Sequence, residues 1–479
     1  MSWKIFIILI LLFFSATGIG LAQEPVLPGD EIVCSNGYTV GQLLLSQSSQ
    51  ESLIETQQAI EDASNTGFVT AEGTKLYLDG QEYKFSFANN YYLFYKPDYM
   101  IDEIFEDAKG LGLNTIRTWG FCDGWYKEGV SFQPSAGIYD ESGFLKMDYI
   151  LHKASQYDMK LILPLVNNWD DFGGINQYVE WRLGRSPSHA EHDLFFTDEI
   201  IKDWYRDYVE YFLNRTNTYT GIAYKDDPTV LMWELGNEPR AYTDSDGSIL
   251  TPWIDDMAGY IKEIDPNHLV SAGIEGWYEY VDGVDFVDNQ VSANIDIATF
   301  HLFPDYYNLS DNQALQWVTD RVYDAQNILN KPVYIGEFGR MVNRDAADVR
   351  NQMKARDNLY KNIYNTAVSS GANGLGFWIL YGDNYPDYDN FGVYYPGDRS
   401  TCRVIKSGSE LFVSSSGGNG KPDKPDNPHK PPKKGNNTTG SNSFSETEQA
   451  GLEAYRRILL KKLYLEFYYD LRSASKNFE

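Results

Sequence analysis

The sequence predicts an α/β fold: a (β/α)8 TIM barrel over residues 67–415, flanked by an N-terminal extension, a disordered linker and a short C-terminal helical tail. Over the barrel range, eight short apolar runs alternate with segments of helical periodicity. The run at 230–233 is apolar at every position, as expected for a strand covered on both faces. Two glutamates, Glu238 and Glu337, stand at the ends of two such runs, where a parallel barrel presents its functional side chains.

The eight predicted strands follow one another along the chain with helices between them. They are residues 84–88, 115–119, 161–166, 230–235, 269–273, 297–303, 333–336 and 374–380. The predicted helices include residues 98–111, 148–157, 200–213 and 350–369. Before the first strand, residues 68–79 alternate around Gly73 and predict a hairpin that closes the bottom of the barrel. The two longest connections, 121–147 and 167–197, are expected to stand over the functional face.

Residues 1–22 are typical of a secretory signal peptide. Lys4 supplies a positive charge, residues 5–14 form an apolar core, and residues 20–22 resemble a cleavage site. Because so short an apolar core does not span a bilayer comfortably, we expect cleavage and an extracellular protein without an integral membrane domain. An uncleaved membrane anchor stays an alternative.

The other segments outside the barrel differ from it in composition. Residues 23–66 form a polar extension to which the sequence assigns no function. Residues 416–444 are rich in Gly, Ser, Pro and Asn and predict a disordered linker. Residues 445–479 regain helical periodicity, with an apolar stripe that begins at Leu452. This tail is either a solvated helix or a docking segment for a partner, the cell surface or the barrel.

Composition restricts the possible classes of function. The formal net charge is −28, which argues against a nucleic-acid partner, because such partners require a basic surface. Aromatic residues make up 15% of the chain, including 36 Tyr and 11 Trp, so rings remain available for a groove once the core is filled. Three cysteines, Cys34, Cys122 and Cys402, allow one disulfide at most.

Polar and aromatic side chains collect at the carboxyl ends of the predicted strands. In a parallel barrel these ends share one face, so residues far apart in sequence converge there. Arg117 and Trp119 end the second strand, Asn167, Asn168 and Trp169 follow the third, Asn237 and Glu238 follow the fourth, His301 lies in the sixth, Glu337 follows the seventh, and Trp378 lies in the eighth. Each residue alone has an ordinary structural explanation, and only their shared position identifies a candidate site.

Two glutamates on such a face suit glycoside hydrolysis. The reaction needs one carboxylic acid to protonate the leaving oxygen and one carboxylate to capture the sugar cation. Glu238 is the predicted acid, which later acts as base, and Glu337 is the predicted nucleophile. Arg117 near Glu337 would keep that carboxylate ionised. Asn237 is expected to bond the sugar 2-hydroxyl.

No metal or cofactor is predicted. The six histidines include no H-E-x-x-H pair, and His189-x-x-His192 lies in a Ser/Pro-rich segment without a nearby third ligand. The sequence also contains no glycine-rich phosphate loop and no G-x-S-x-G nucleophile motif.

Several motifs resemble a known family when read together. W-E-L-G-N-E-P-R (233–240) and G-E-F-G (336–339) resemble the acid/base and nucleophile motifs of glycoside hydrolase family 5. T-I-R-T-W-G-F (115–121), L-V-N-N-W-D-D-F-G-G-I-N-Q-Y-V-E-W (165–181) and D-I-A-T-F-H-L-F-P-D (296–305) are similar to its endo-β-1,4-mannanase branch. The resemblance covers most of residues 67–395 and implies Glu238 as acid/base and Glu337 as nucleophile. The expected substrate-binding residues are Arg117, Trp119, Asn168, Asn237, His301 and Trp378.

One position departs from the family pattern. The family usually has a tyrosine two residues after the histidine, with its hydroxyl bonded to the nucleophile, and this chain has Phe303 there. The missing hydroxyl is expected either to raise the pKa of the nucleophile or to be replaced by Tyr306 or Tyr307.

The expected function is therefore that of a secreted endo-β-1,4-mannanase that cleaves mannan, glucomannan or galactomannan by double displacement with retention. Its only expected partner is the β-mannan substrate, apart from whatever the tail contacts. The alternatives are an exo-β-mannosidase, a cellulase-like β-glucanase and, because of Phe303, a carbohydrate-binding pseudoenzyme.

Overall fold

The computed structural model describes residues 67–383 and 385–416. Three short strands come first: β1 (Val69–Glu72), β2 (Lys75–Leu78) and β3 (Gln81–Glu82). The eight-stranded sheet follows with β4 (Phe85–Asn89), β5 (Thr115–Arg117), β6 (Lys160–Pro164), β7 (Val230–Glu234), β8 (Leu269–Ser271), β9 (Ala298–Leu302), β10 (Val333–Phe338) and β11 (Gly374–Phe377). A last pair, β12 (Leu380–Tyr381) and β13 (Val393–Tyr394), lies after the sheet in the chain.

The eight-stranded sheet is entirely parallel and closes on itself. Its strand order is β8-β7-β6-β5-β4-β11-β10-β9. Between β8 and β9 the backbone N–H of Asp296 donates to the carbonyl of Val270 at 2.9 Å, and that of His301 donates to the carbonyl of Glu275 at 3.0 Å. These two bonds join the ends of the sheet, so the predicted (β/α)8 barrel is confirmed.

Ten α-helices connect and cover the strands within the described residues. They are α1 (Asp98–Gly110), α2 (Glu141–Tyr157), α3 (Gly174–Leu183), α4 (Leu194–Thr197), α5 (Glu199–Asn214), α6 (Leu250–Ile264), α7 (Pro304–Tyr307), α8 (Asp311–Asp324), α9 (Val349–Ser370) and α10 (Arg399–Ser414). The amphipathic helices bury one face against the strands; α5, for example, buries Ile201, Tyr205, Val209 and Phe212. Most of the apolar core lies in this outer layer.

The predicted hairpin forms the floor of the barrel. Strands β1 and β2 pair antiparallel around Gly73, whose φ of 57° suits glycine. Val69 and Leu76 of the hairpin belong to the same buried cluster as Phe87 and Met232 of the barrel strands. The lower end of the barrel is therefore filled with side chains, and the opposite, carboxyl end is left for a site.

The main difference from the predicted strands concerns Glu337, which lies inside β10 rather than after it. The reason is a bulge. Ile335 pairs with Phe300 but Glu337 pairs with His301, so Gly336 is an extra residue in β10. A Cβ on Gly336 would lie 2.7 Å from the His301 ring, and glycine lets the two strands approach.

The signal peptide, the N-terminal extension, the tail and all but the first residue of the linker lie outside the described residues. In the part of the chain that is described, no helix is both long and apolar enough to cross a bilayer. Cys122 and Cys402 are buried free thiols, so the two do not bond to each other.

The turn after β8 supports the loop that carries Glu238, because the Glu238 N–H donates to the carbonyl of Gly273 at 2.8 Å. Gly273 has a φ of +74°, and a Cβ there would lie only 1.8 Å from the carbonyl oxygen of Gly236. We expect Gly273→Ala to destabilise the fold by about 2–4 kcal/mol, because backbone strain and a backbone clash add. Urea unfolding measures this loss.

Gly80→Ala is the matched control, since Gly80 has the same φ of +74° and a Cβ added there would meet no atom within 4 Å. It isolates the cost of positive φ, about 1 kcal/mol. Equal losses in the two variants would contradict a close-approach role for Gly273.

Candidate active site

A cleft of about 870 Å³ opens at the carboxyl ends of the barrel strands. Aromatic side chains form much of its wall, among them Tyr91, Trp119, Trp169, Trp277 and Trp378. Glu238 and Glu337 also line it, together with a third acid that the sequence reasoning did not single out, Glu275. Flat apolar rings with a few carboxylates suit a sugar, which presents C–H faces and a rim of hydroxyls.

The guanidinium of Arg117 organises the floor of this cleft. It is fully buried and donates to Glu234 Oε2, at 2.9 Å from Nε and 2.7 Å from Nη2, and to Glu337 Oε1 at 2.7 Å. Its other bonds go to Asn89 Oδ1 at 3.0 Å and Asn237 Oδ1 at 2.8 Å. One cation therefore fixes four side chains from three barrel segments, and so many donors in one plane require arginine rather than lysine.

Glu238, His301 and Glu337 form a line of hydrogen-bonding groups. Glu238 Oε1 lies 2.6 Å from His301 Nδ1, and Glu337 Oε2 lies 3.8 Å from the same nitrogen. One carboxylate oxygen of each glutamate and the imidazole nitrogen all lie within 4.8 Å of one another. Two glutamates far apart in sequence thus bring carboxylate oxygens within 4.8 Å of each other.

The backbone at Glu238 is held in an unusual conformation. Its φ is 56°, in the left-handed region that non-glycine residues rarely adopt. The preceding residue is anchored by backbone bonds, since Asn237 N–H donates to the carbonyl of Val166 at 2.7 Å. The indole N–H of Trp169 donates to Glu238 Oε2 at 2.7 Å. The strain is thus held at a site residue by surrounding contacts.

The buried acids and the imidazole share protons. Burial raises the pKa of Glu337 to about 7, against the lowering effect of His301 and Arg117. Burial also acts to raise the pKa of Glu238, but the hydrogen bond and charge of His301 outweigh it and the pKa falls below its usual value. Burial lowers the pKa of His301, but the charges of Glu337 and Glu238 raise it above its usual value overall. The short Glu238–His301 bond therefore carries a proton, and the pKa shifts of the two groups favour the imidazole side.

The three donor atoms could in principle hold a cation. In a tetrahedral site with bonds of roughly 2 Å, neighbouring ligand atoms stand roughly 3.3 Å apart. The Glu238–His301 separation of 2.6 Å is shorter and matches a charge-assisted hydrogen bond. The donor set thus fits a shared proton better than an ion.

The predicted substrate contacts divide into two groups. Trp119, Asn237 and Trp378 line the cleft. Arg117 and His301 do not, because both are fully buried and act through the two glutamates. Asn237 accepts from Arg117 and donates to Asn167 Oδ1 at 3.0 Å, which leaves one amide hydrogen for the cleft.

Asn168 differs from the prediction. It is only 1% exposed, its amide nitrogen donates to Tyr242, and its amide oxygen accepts from the Arg240 backbone N–H at 3.1 Å and lies 3.1 Å from His192 Nε2. Its neighbours Asn167 and Trp169 line the cleft instead, so Asn168 joins two loops beneath the site. Sequence position could not decide which of three consecutive side chains faces the cleft.

An ion pair that the sequence did not predict lies beside Glu238. Arg240 donates from Nε to Glu275 Oε2 at 2.6 Å, and its guanidinium carbon lies 5.4 Å from the Trp169 ring centroid. Burial and the charge of Glu238 raise the pKa of Glu275 to about 7. Glu275 follows β8 in G-I-E-G-W-Y, so its place at a strand end was an available signal.

A second missed residue, Asp389, positions Trp378. The Trp378 indole N–H donates to Asp389 Oδ2 at 2.7 Å, and both residues line the cleft. Burial raises the pKa of Asp389 above its usual value. Nothing in the local sequence distinguishes it from the other acids of the 383–389 segment.

Tyr306 and Tyr307, the two candidates for supplying the hydroxyl that Phe303 lacks, lie in different surroundings. Tyr306 is 61% exposed and packs its ring against Phe391 at 5.4 Å. The Tyr307 hydroxyl is buried without a hydrogen-bond partner among the described residues. Burial raises the pKa of Tyr307, followed by the charges of Glu275, Glu238 and Glu337. Neither hydroxyl is hydrogen-bonded to Glu337 among the described residues, so neither tyrosine replaces the bond that Phe303 lacks.

Comparisons with known proteins agree with this geometry. Residues 66–398 match the family described as GH family 5 beta-mannosidase-like. The chain belongs to glycoside hydrolase family 5. Mannan endo-1,4-beta-mannosidase 7 of Arabidopsis thaliana is 35% identical over 368 residues, which are 72% of this chain and 85% of the relative. Mannan endo-1,4-beta-mannosidase 4 of Solanum lycopersicum is 35% identical over 71% of this chain and 90% of its own.

Solved structures of family 5 enzymes share the fold. The endo-beta-1,4-mannanase from Thermotoga petrophila superposes with a TM-score of 0.64 and 34% identity, covering 70% of this chain and 78% of its own. The endo-1,4-beta-mannanase from Rhizomucor miehei gives a TM-score of 0.64 and 30% identity, covering 72% and 99%. The matched region includes both glutamates, so this chain is a glycosidase of family 5.

Arg117→Met tests whether the buried cation is structural. The substitution leaves the carboxylates of Glu234 and Glu337 buried without their counter-ion, and we expect a loss of about 3–5 kcal/mol of unfolding free energy. Urea unfolding followed by circular dichroism gives this number. The control is Arg206→Met, whose ion pairs with Asp203 and Asp256 are partly exposed and worth less than about 1 kcal/mol. Similar losses of unfolding free energy in Arg117→Met and Arg206→Met would refute a structural role for the buried cation.

Proposed function

We propose that this family 5 glycosidase is a secreted endo-β-1,4-mannanase that hydrolyses β-mannan with retention of anomeric configuration. One observation carries the proposal: one carboxylate oxygen of Glu238 and one of Glu337 lie within 4.8 Å of each other in an aromatic cleft. Retaining glycosidases hold their two carboxyl groups about 5–5.5 Å apart, whereas inverting ones leave about 6.5–9.5 Å for a water molecule. The names of the similar proteins support mannan as the substrate class.

In the first step Glu337 attacks the anomeric carbon while Glu238 protonates the leaving oxygen. The bond from the anomeric carbon to that oxygen breaks, and a bond to the Glu337 carboxylate forms. The proton comes from the Glu238–His301 pair, whose 2.6 Å bond lets it move from the imidazole to the carboxylate. Arg117 holds Glu337 Oε1 at 2.7 Å, which leaves the other oxygen free to attack.

In the second step Glu238 acts as base. It takes a proton from water, which attacks the anomeric carbon and releases Glu337. Asn237 has one amide hydrogen directed to the cleft, which suits a bond to the sugar 2-hydroxyl that tightens in both transition states.

Endo rather than exo action is supported by a cleft that continues on both sides of the acid pair. Among the residues that line it, Trp169 is hydrogen-bonded to Glu238, and Trp119 lies against Arg117, which binds Glu337. A polysaccharide can therefore occupy both sides of the scissile bond. Secretion is supported by the signal-like residues 1–22.

Removal of either carboxylate is the direct test. We expect Glu337→Ala and Glu238→Ala to lower kcat on linear mannan by about four orders of magnitude, because acid and nucleophile act as a unit. Reducing-sugar release gives the rates, and proton NMR of the first product gives the anomer. Expression of the full chain in a secreting host should yield active enzyme in the culture medium.

Glu263→Ala is the matched control, because Glu263 is an exposed residue of α6. Azide should restore turnover with opposite anomeric products in the two glutamate variants. Mannan binding without turnover by the wild type would favour the pseudoenzyme. Release of mannose from chain ends alone would favour the exo-β-mannosidase, and a preference for cellohexaose over mannohexaose would favour the glucanase.

The pH profile of kcat/KM follows from the shared protons. Glu337 has a pKa of about 7 and must be ionised to attack, so activity is lost as the pH falls through about 7. His301 has a raised pKa and must retain the shared proton, so the alkaline limb lies above the usual histidine value. We expect a bell-shaped profile of kcat/KM with a neutral to slightly alkaline optimum. An acid limb near pH ~4.5, the ordinary range of a glutamate, with the fold intact, would contradict this interpretation.

Phe303→Tyr tests the cause of the acid limb. Because a hydroxyl bonded to the carboxylate stabilises its ionised form, the limb should move to lower pH. Tyr306→Phe removes a hydroxyl from an exposed ring instead and should leave the limb in place.

A further inference from the structure

A second hollow, of about 680 Å³, lies apart from the catalytic cleft. Tyr139 lines it from the connection between β5 and α2, and Asp207, Glu210, Tyr211 and Asn214 line it from the last two turns of α5. None of the residues that line this hollow lines the catalytic cleft. Its volume lies in the range of small-molecule sites, about 300–1,000 Å³. The hydrolysis proposed above does not use it.

Asn214, the last residue of α5, begins an Asn-Arg-Thr triplet. Such a triplet is the acceptor motif for N-linked glycosylation in secreted proteins. Asn214 and Thr216 are both exposed. Of the three other motifs of this type, those at Asn436 and Asn437 lie outside the described residues, and the one at Asn308 follows two tyrosines that line the cleft. Among the described residues, Asn214 is therefore the acceptor that lies away from the cleft.

The Asn214 side chain lies over the preceding turn of α5. Its amide nitrogen donates to the carbonyl of Glu210 at 2.9 Å. Side chains of a helix lean toward its N-terminus and residues three apart share a face, so Tyr211 lies beside this nitrogen. The bond to Glu210 uses one amide hydrogen and leaves the second for replacement by a sugar. A sugar bound to Asn214 would therefore begin next to Tyr211.

Tyr139 and Tyr211 form an aromatic platform in the hollow. Their rings stack with centroids 4.1 Å apart and planes inclined by 27°. Tyr211 is 38% exposed and contacts the buried Phe144 edge to face at 5.0 Å, so its ring is held in place. Asp207 and Glu210 line the same hollow and offer carboxyl oxygens that accept from hydroxyl and amide groups. Apolar rings bordered by acceptors suit N-acetylglucosamine, the first unit of an N-linked glycan, which has C–H faces and a polar rim.

We propose that Asn214 carries an N-linked glycan whose first N-acetylglucosamine packs on the Tyr211 ring. The transfer forms a bond between the Asn214 amide nitrogen and the anomeric carbon of the sugar, and this nitrogen loses one proton. The donor is an oligosaccharide linked to a lipid diphosphate, and the lipid diphosphate is the leaving group. The packed sugar stabilises the fold, because it buries apolar surface that stays exposed in the unfolded chain. The inference goes beyond the proposed hydrolysis and rests only on the proposed secretion.

The first experiment maps Asn214 in the full chain secreted by a eukaryotic host that glycosylates its proteins. Peptide-N-glycosidase F in water labelled with heavy oxygen releases the glycan and marks the acceptor, which peptide mass spectrometry then locates. We expect Asn214 to be marked in wild type and in Thr216→Ser, which keeps the motif, and unmarked in Thr216→Val, which loses it. A chain that reaches the medium with Asn214 unmarked would overturn the proposal.

The second experiment measures the packing of the sugar by thermal unfolding. We expect wild type to exceed Thr216→Val in Tm by about 1–3 °C, and this difference should vanish in a Tyr211→Ala background. The same pair made in a host without N-glycosylation gives the effect of the Thr216 substitution itself. Tyr219→Ala is the matched control, because Tyr219 is exposed but does not line the hollow, and there the difference should persist. An equal effect of the glycan with and without Tyr211 would overturn the packing contact.

Failure of the proposed function looks different from failure of this site. If residues 1–22 do not export the chain, residues 23–479 behind a host signal peptide still reach the glycosylating compartment and test Asn214. Absence of mannan hydrolysis would reject the mannanase and leave the mapping of Asn214 unaffected. Mannan binding that Tyr211→Ala abolishes, with Asn214 unmarked, would overturn the proposal and identify the hollow as a site for free polysaccharide.

Discussion

The buried guanidinium of Arg117 is the constraint on which the site depends. It stands among Glu234, Glu337, Asn89 and Asn237, which reach it from three different segments of the barrel. A charge so far from water is tolerated only where its partners complete the hydrogen bonds that water would have made. The barrel must therefore close with these strands in one register, and that register carries Glu337 to its position. Fold and chemistry are specified by the same contact.

Two carboxylates against one arginine leave the floor of the cleft with surplus negative charge. The Tyr334 hydroxyl donates a hydrogen bond to Glu234, which stabilises part of this negative charge. Burial then raises the pKa of Glu337, while the neighbouring His301 takes up the proton that Glu238 needs. The imidazole is thus hydrogen-bonded to Glu238, and the charges of both acids raise its pKa. Since its ring is fully buried, its protonation follows the charges of those acids rather than the solvent.

Close backbone approach makes this crowded arrangement possible. Gly336 forms the bulge opposite His301, and Gly273 supports the turn that holds Glu238 at positive φ. Neither position tolerates a Cβ without displacing a site residue. The loops above the floor carry the rings and ion pairs that line the cleft, including Arg240 with Glu275 and Asp389 with Trp378. The strands of the floor thus hold the acid pair in place, and the loops supply the wall of the cleft.

The sequence by itself determined the barrel, the hairpin floor and the pair of glutamates. These follow from local patterns: apolar runs alternating with helical periodicity, a glycine turn, and acids at strand ends. Most of the predicted strand limits lie within one or two residues of the observed ones. Glu337 was the instructive exception, since the bulge that draws it into β10 depends on the His301 ring of another strand.

Only the tertiary structure decided which side chains face the cleft and how the protons are shared. Asn168 turns under the site while its neighbours line it, Arg117 and His301 act from beneath the floor, and Glu275 stands beside the acid. The physical reason is common to all of these. Side-chain direction in a loop and the pKa of a buried group are set by residues that are distant in sequence, and no local pattern records those contacts.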